Sequence, residues 1–185
     1  DTPLAKPVPC NYVITKRAAE QVVLQEHAEG LDVVIVNPAF MLGPWDWKPS
    51  SGRMLLEVAR GRGIFAPRGS VSVCDVRDVA AGILAAVQRG KSGRRYILAG
   101  QTLSYLDAWR LFARVTGGRH PWFCPGPVVL WVAGRVGDLV TRLTGNEPDV
   151  NSGALALARL PKHYSSQRAR SELGYQTRPV EQTVQ

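Results

Sequence analysis

The sequence predicts an α/β protein: part of an open, mostly parallel sheet followed by a mostly helical lobe. Three observations carry this. Residues 31–38, Leu-Asp-Val-Val-Ile-Val-Asn-Pro, form a β-branched run that is apolar on both faces, the pattern of a strand inside a parallel sheet. Helical and strand patterns alternate up to about residue 100, as in βα repeats. Beyond that point the periodicity is almost entirely helical.

The elements follow in order. A helix is expected over about 10–29, because Val13, Ala18, Ala19, Val22 and Val23 recur near the helical period and Gly30 stops it. The buried strand at 31–38 ends on Pro38. Residues 39–53 carry Gly, Pro, Ser and Trp and are expected to form a loop. A short helix is expected at 53–62 and a strand at 70–76. The helix at 76–90 has Asp75 and Asp78 near its N-terminus, where the helix dipole favours acids; their role is expected to be structural. A short buried strand follows at 94–100, then a helix capped by Ser104. A helix at 127–144 and a short one at 165–175, with a serine cap and a glycine stop, complete the chain. Three strands are visible and the chain opens on a helix, whereas sheets average about five or six strands. The pattern therefore fits part of an α/β domain.

Composition narrows the function classes. The 185 residues are 45% hydrophobic and 21% charged, typical of a folded globular chain. Cys10, Cys74 and Cys124 are odd in number and scattered, which argues against a disulfide framework and for a reducing cytoplasm. With His27, His120 and His163 they show no metal-ligand spacing, so no metal site is expected. The first ten residues lack the apolar core of a secretory leader. The most apolar stretch, 127–140, is interrupted by Arg135 and Asp138 and is shorter than the roughly 20 residues of a membrane span. It is expected to be a buried or half-buried helix. A membrane-surface anchor is the weaker alternative, since the polar side is not strongly basic. The net charge of +8 comes from cations spread singly along the chain without aromatic interleaving, so nucleic acid is not an expected partner.

One spacing carries chemistry. Tyr12 and Lys16 lie four apart on the first helix and so share a face. A free phenol titrates near 10; an ammonium nearby favours the phenolate and brings the group into acid–base range. Such a pair can exchange a proton with a substrate hydroxyl or carbonyl while a lysine holds ribose hydroxyls. The spacing alone is weak evidence, and its setting strengthens it: the helix feeds a buried strand that ends in Asn-Pro-Ala-Phe-Met-Leu-Gly-Pro, 37–44.

Taken together, Tyr12-x-x-x-Lys16, Val33–Pro44, the block 71–100 and the segment 164–184 resemble the extended short-chain dehydrogenase/reductases, and within them the NAD-dependent epimerase/dehydratase group near dihydroflavonol reductases and hopanoid-associated sugar epimerases. The resemblance implies a Rossmann-type doubly wound sheet with a helical substrate-binding lobe. Residues 1–100 would be the C-terminal half of the dinucleotide-binding domain, with 43–70 contributing to the lobe, and 101–185 the rest of the lobe. It implies NAD or NADP as cofactor, Tyr12 as acid–base and Lys16 as its partner on the ribose. Pro38, Ala39, Phe40 and Met41 would border the nicotinamide, at the strand end where open α/β sheets bind ligands. Trp45, Ser51 and Arg53 would touch a small-molecule substrate, with an apolar plug as an equal alternative for Trp45 and Trp47. The resemblance also implies a homodimer, formed through the helix that carries the tyrosine.

None of the 18 glycines forms a phosphate-binding turn between a buried strand and a helix. The expectation is therefore the C-terminal portion of a longer enzyme, an epimerase, dehydratase or reductase acting on a nucleotide sugar or a dihydroflavonol-like compound, with the 185 residues inactive by themselves. A non-catalytic NAD(P)-sensing protein of the same fold is the alternative, against which the retained Tyr–Lys pair weighs.

Overall fold

The structure is a computed structural model and describes residues 11–49, 51–146, 148, 150–160 and 164–184. Cys10, with which the expected N-terminal helix begins, and His163 lie outside the described residues. The chain divides into two compact units: Asp32–Cys124 with Pro161–Gln185, and Asp1–Leu31 with Pro125–Leu160.

The larger unit is the α/β part. Its strands are β1 (Ile35–Pro38), β2 (Phe40–Leu42), β3 (Ser70–Asp75), β4 (Arg95–Leu98) and β5 (Gln101–Ser104). β1 pairs with β4 in parallel, Ile35 opposite Arg95. β2 pairs with β3 in parallel, and β3 pairs with β5 antiparallel, Val71 opposite Leu103. This corrects the expected three strands to five. Phe40–Leu42 is a strand inside the segment expected to be a loop, and Gln101–Ser104 is a strand that three or four residues are too short to announce by alternation. It also corrects the strand expected over 31–38. Pairing begins only at Ile35, and β1 is half-buried, because β4 is its one strand partner among the described residues.

Three helices, α2 (Gly52–Ala59), α3 (Val76–Arg89) and α4 (Tyr105–Thr116), belong to this unit. α3 packs over β1 and β4 together with a π-helical turn, Ala169–Leu173. Their shared core holds Cys74, Val79, Tyr96, Leu98, Leu173 and Tyr175. Close approach requires Gly82, where a Cβ would lie 3.0 Å from both Leu98 and Tyr175. Several polar groups in this core are matched, though the buried Tyr175 hydroxyl has no hydrogen-bond partner among the described residues. The Tyr96 hydroxyl donates to Glu172 at 2.7 Å and accepts from Lys91 N–H at 3.1 Å. Ser166 Oγ accepts from Ala99 N–H at 2.9 Å and donates to Ala99 C=O at 3.0 Å, fixing the link between β4 and β5. A second core lies under α4, where Tyr105 meets Trp109 edge-on at 5.5 Å and Trp109 stacks on Phe112 at 5.9 Å. Ser104 caps α4 as expected, accepting from Asp107 N–H at 3.0 Å.

The smaller unit holds α1 (Asn11–Ala28), α5 (Pro127–Thr144) and α6 (Ser152–Arg159). α5 begins with proline at its first turn and stops at left-handed Gly145, φ 70°. Its buried face is Leu130, Gly134 and Gly137, packed toward α6. Gly137 has no alternative there, since a Cβ would come within 1.9 Å of Val150 O. Asn151 caps α6 by accepting from Ala154 N–H at 2.8 Å. α1 departs from expectation. It is helical, but none of its described side chains is buried and Val22 is 55% exposed. Positions 13, 18, 19, 22 and 23 spread over more than half of the helix circumference at 3.6 residues per turn, so they form no single apolar face.

Candidate active site

Tyr12 and Lys16 belong to the smaller unit. Tyr12 sits in the first turn of α1, and four residues later Lys16 returns to the same side. The Lys16 ammonium lies 5.9 Å from the centre of the Tyr12 ring, at the outer range of a cation–π contact. Both side chains are exposed, Tyr12 by 62%, so both are open to a ligand. Thr15 Oγ1 donates to Tyr12 C=O at 3.1 Å, tying down the turn that presents the phenol.

The remaining expected site residues belong to the larger unit. Pro38 is the last residue of β1 and is exposed. Ala39 joins β1 to β2, and its N–H donates to Leu98 C=O at 3.1 Å. That N–H is thus occupied by the fold. Along β2 the pleat alternates: Leu42 is buried, Phe40 half-buried, and Met41, pointing to the other face, is 39% exposed. Pro38 and Met41 are the two members of the quartet with open surface at the carboxyl end of a parallel strand.

The segment after β2 is shaped by two unusual backbones. Gly43 has φ 147°, and a Cβ there would meet Val76 Cγ1 at 2.6 Å. Trp45 has φ 72°, left-handed and unfavourable for a bulky residue. Trp45 and Trp47 are 78% and 82% exposed, with ring centres 5.9 Å apart. They plug no core of their own unit. Ser51 immediately precedes α2, half-buried and with no side-chain capping bond. Arg53 is exposed on the first turn of α2.

Asp75 and Asp78 have the structural role expected of them. Asp75 caps α3, accepting from Arg77 N–H at 2.8 Å, and takes the Arg77 guanidinium in a fork at 2.9 and 2.7 Å. Burial alone would raise its carboxyl, but the bonds from Arg77 and the charge of Arg178 hold it below the usual carboxylate range. Asp78 accepts from Arg178 N–H at 2.8 Å and from its guanidinium at 2.9 and 2.7 Å. Sequence reasoning did not find Arg178, a hundred residues away; Asp75 and Asp78 beside Arg77 at a helix start were its only local signal. The Cys74 thiol is buried and pushed up to about 12, which makes it a poor nucleophile. Among the described residues no group of three His, Cys, Asp or Glu side chains is placed to hold a metal.

Comparison with known proteins bears on this arrangement. The family model described as "NAD dependent epimerase/dehydratase family" matches residues 2–99. The chain is 34% identical over 168 residues to "Sterol demethylase protein B" of Methylococcus capsulatus, covering 89% of this chain and 51% of that protein. It is 33% identical over 181 residues to "Putative dihydroflavonol 4-reductase" of Synechocystis sp., covering 94% of this chain and 52% of the relative. The crystal structure of a nucleoside-diphosphate-sugar epimerase from Pseudomonas aeruginosa superposes with a TM-score of 0.76 at 26% identity, over all of this chain and 55% of that one. The chain thus spans about half the length of the curated relatives it matches.

Proposed function

Because the chain belongs to the NAD-dependent epimerase/dehydratase family, we propose that it supplies the acid–base pair and the substrate side of an NAD(P)-dependent enzyme that epimerises, dehydrates or reduces at a hydroxyl or keto carbon. The observation that carries this is the pairing of Tyr12 and Lys16 on one exposed face of α1, the ammonium 5.9 Å from the ring. The Tyr12 hydroxyl gives its proton to a carbonyl oxygen in the reductive direction and takes one from a hydroxyl in the oxidative direction. The Lys16 ammonium offers three N–H donors to ribose hydroxyls. Bound nicotinamide supplies the matching hydride exchange.

The chain's residues suit the ribose–nicotinamide end of such a cofactor. Lys16 offers hydroxyl donors, and Pro38 and Met41 offer apolar edge at a strand terminus. Phe40 and Ala39 hold those two in place, and Ala39 N–H, already engaged by Leu98, leaves the carboxamide to another donor. Trp45, Ser51 and Arg53 would meet the substrate. The names of the relatives favour a nucleotide sugar or a dihydroflavonol-like compound. On the same reading the 185 residues by themselves bind cofactor weakly and turn over little, since no phosphate-binding glycine turn occurs in them.

Tyr12→Phe, made in the enzyme that contains this chain, is expected to lower kcat about 100-fold or more while leaving the KM for NAD(P) nearly unchanged. Lys16→Met should raise that KM as well. Turnover near the parent value in Tyr12→Phe would remove the tyrosine from the role.

A further inference from the structure

α5 turns its apolar side outward. Val128, Val132, Val136, Leu139 and Leu143 follow one another at spacings of four, four, three and four, which places them on one face, and each is between 48% and 76% exposed. The opposite face, Leu130, Gly134 and Gly137, is the one packed toward α6. A continuous apolar stripe of this length on a folded chain marks an interaction surface.

One edge of the stripe is aromatic and cationic. Trp131, 60% exposed, carries the Arg135 guanidinium 5.7 Å from its ring, and Arg142 lies two turns further along the same edge. The one acid of the helix, Asp138, is turned to α6, where it accepts from Ser152 N–H and Oγ at 3.0 Å each. The outward surface of α5 therefore presents apolar side chains, an indole and two guanidinium groups, with the half-buried Asp138 between Arg135 and Arg142 and engaged by Ser152. No helix among the described residues is long and apolar enough to cross a membrane, so α5 can only lie along one.

We propose that α5 docks flat on the surface of an anionic lipid bilayer. The stripe would enter the acyl boundary, Trp131 the headgroup layer, and Arg135 and Arg142 would meet lipid phosphates. Charge selects this occupant over a second copy of the chain: each copy carries a net charge of +8 and the same arginine edge, so pairing opposes like charges, whereas anionic lipid complements them. The inference stands apart from the catalytic reading and uses none of its residues.

The test is co-sedimentation of the enzyme that contains this chain with vesicles of phosphatidylcholine alone and of phosphatidylcholine with phosphatidylglycerol in equal parts. Binding is expected to be about tenfold or more tighter on the anionic vesicles, to weaken as salt is raised, and to shift tryptophan emission to the blue. The double change Val132→Glu with Leu139→Glu should reduce binding about tenfold or more, and so should Arg135→Glu with Arg142→Glu. All four side chains are exposed, so circular dichroism should be unaltered. Val87→Glu on α3, at an equally exposed apolar residue, should change nothing. Three results would overturn the proposal: no preference for anionic vesicles at low salt, equal loss with Val87→Glu, or α5 changes that abolish self-association measured by light scattering in a chain that ignores vesicles.

Discussion

Asp75 has the most heavily committed carboxylate described in the chain. Its side chain has no exposed surface, it caps α3, and two arginines meet it, Arg77 at 2.7 Å and Arg178 at 3.5 Å. Asp75→Asn keeps the shape but removes the charge that both guanidinium groups answer, and it is expected to cost about 2–3 kcal/mol. Urea unfolding checks this, and a change below about 0.5 kcal/mol would mean the arginines are satisfied without it. The same residues mark the limit of what sequence can reveal. Asp75 as a helix-start acid and the Tyr12–Lys16 pair are both local relations, set by the rise and turn of one helix, and both were legible. Arg178 meets Asp78 across a hundred positions, and Ser166 meets Ala99 across 67, through folding alone. Trp45 was legible as a candidate residue but not as a left-handed one, because nothing in the flanking residues requires that conformation.

Among the elements, length decided what could be foreseen. α3, α4 and α5 each run three turns or more and begin or end on a recognisable cap. β2 and β5 hold three and four residues, too few for a period of two to show, and they form because β3 offers both its edges. The periodicity of α5 was legible, but the direction of its apolar face was not. That direction is fixed by the glycines, which admit α6 on the side where side chains are smallest. Gly137→Ala tests this. Its methyl would lie 1.9 Å from Val150 O, so α5 and α6 must separate, at an expected cost of about 2–4 kcal/mol, whereas helix propensity alone would predict a gain of up to about 1 kcal/mol. Gly126→Ala, where a Cβ meets nothing within 4 Å, serves as the clash-free control, expected to lose only the roughly 0.5–1 kcal/mol of replacing an N-cap glycine. Thermal unfolding of the two variants side by side gives the sign.

For the molecule as a whole, acid should be the condition that loosens it first. Burial opposes ionisation of Asp75, but Arg77 and Arg178 overcome it; the Tyr96 hydroxyl lowers Glu172; and the Ser152 N–H and hydroxyl lower Asp138. A carboxyl held below its unfolded value lends stability above that value and loses it as pH falls through the folded one. Unfolded acids titrate near 4, so Tm is expected to be flat from pH 7 to about 5 and to fall steadily below about 4. Asp75→Asn should flatten part of that fall, and scanning calorimetry across the range would show it. The order of segments in the larger unit has a further consequence. Residues 125–160 interrupt it, and only afterwards does the chain bring Ser166 to Ala99, Glu172 to Tyr96, Leu173 and Tyr175 into the core, and Arg178 to Asp78. During synthesis β1, β3, β4 and α3 therefore leave the ribosome well before the segment that closes their core. Contacts of such sequence separation form slowly. For that interval the nascent chain carries Tyr96 and Leu98 uncovered, exposed to aggregation, and the arrival of residues 164–184 is the step that closes this core.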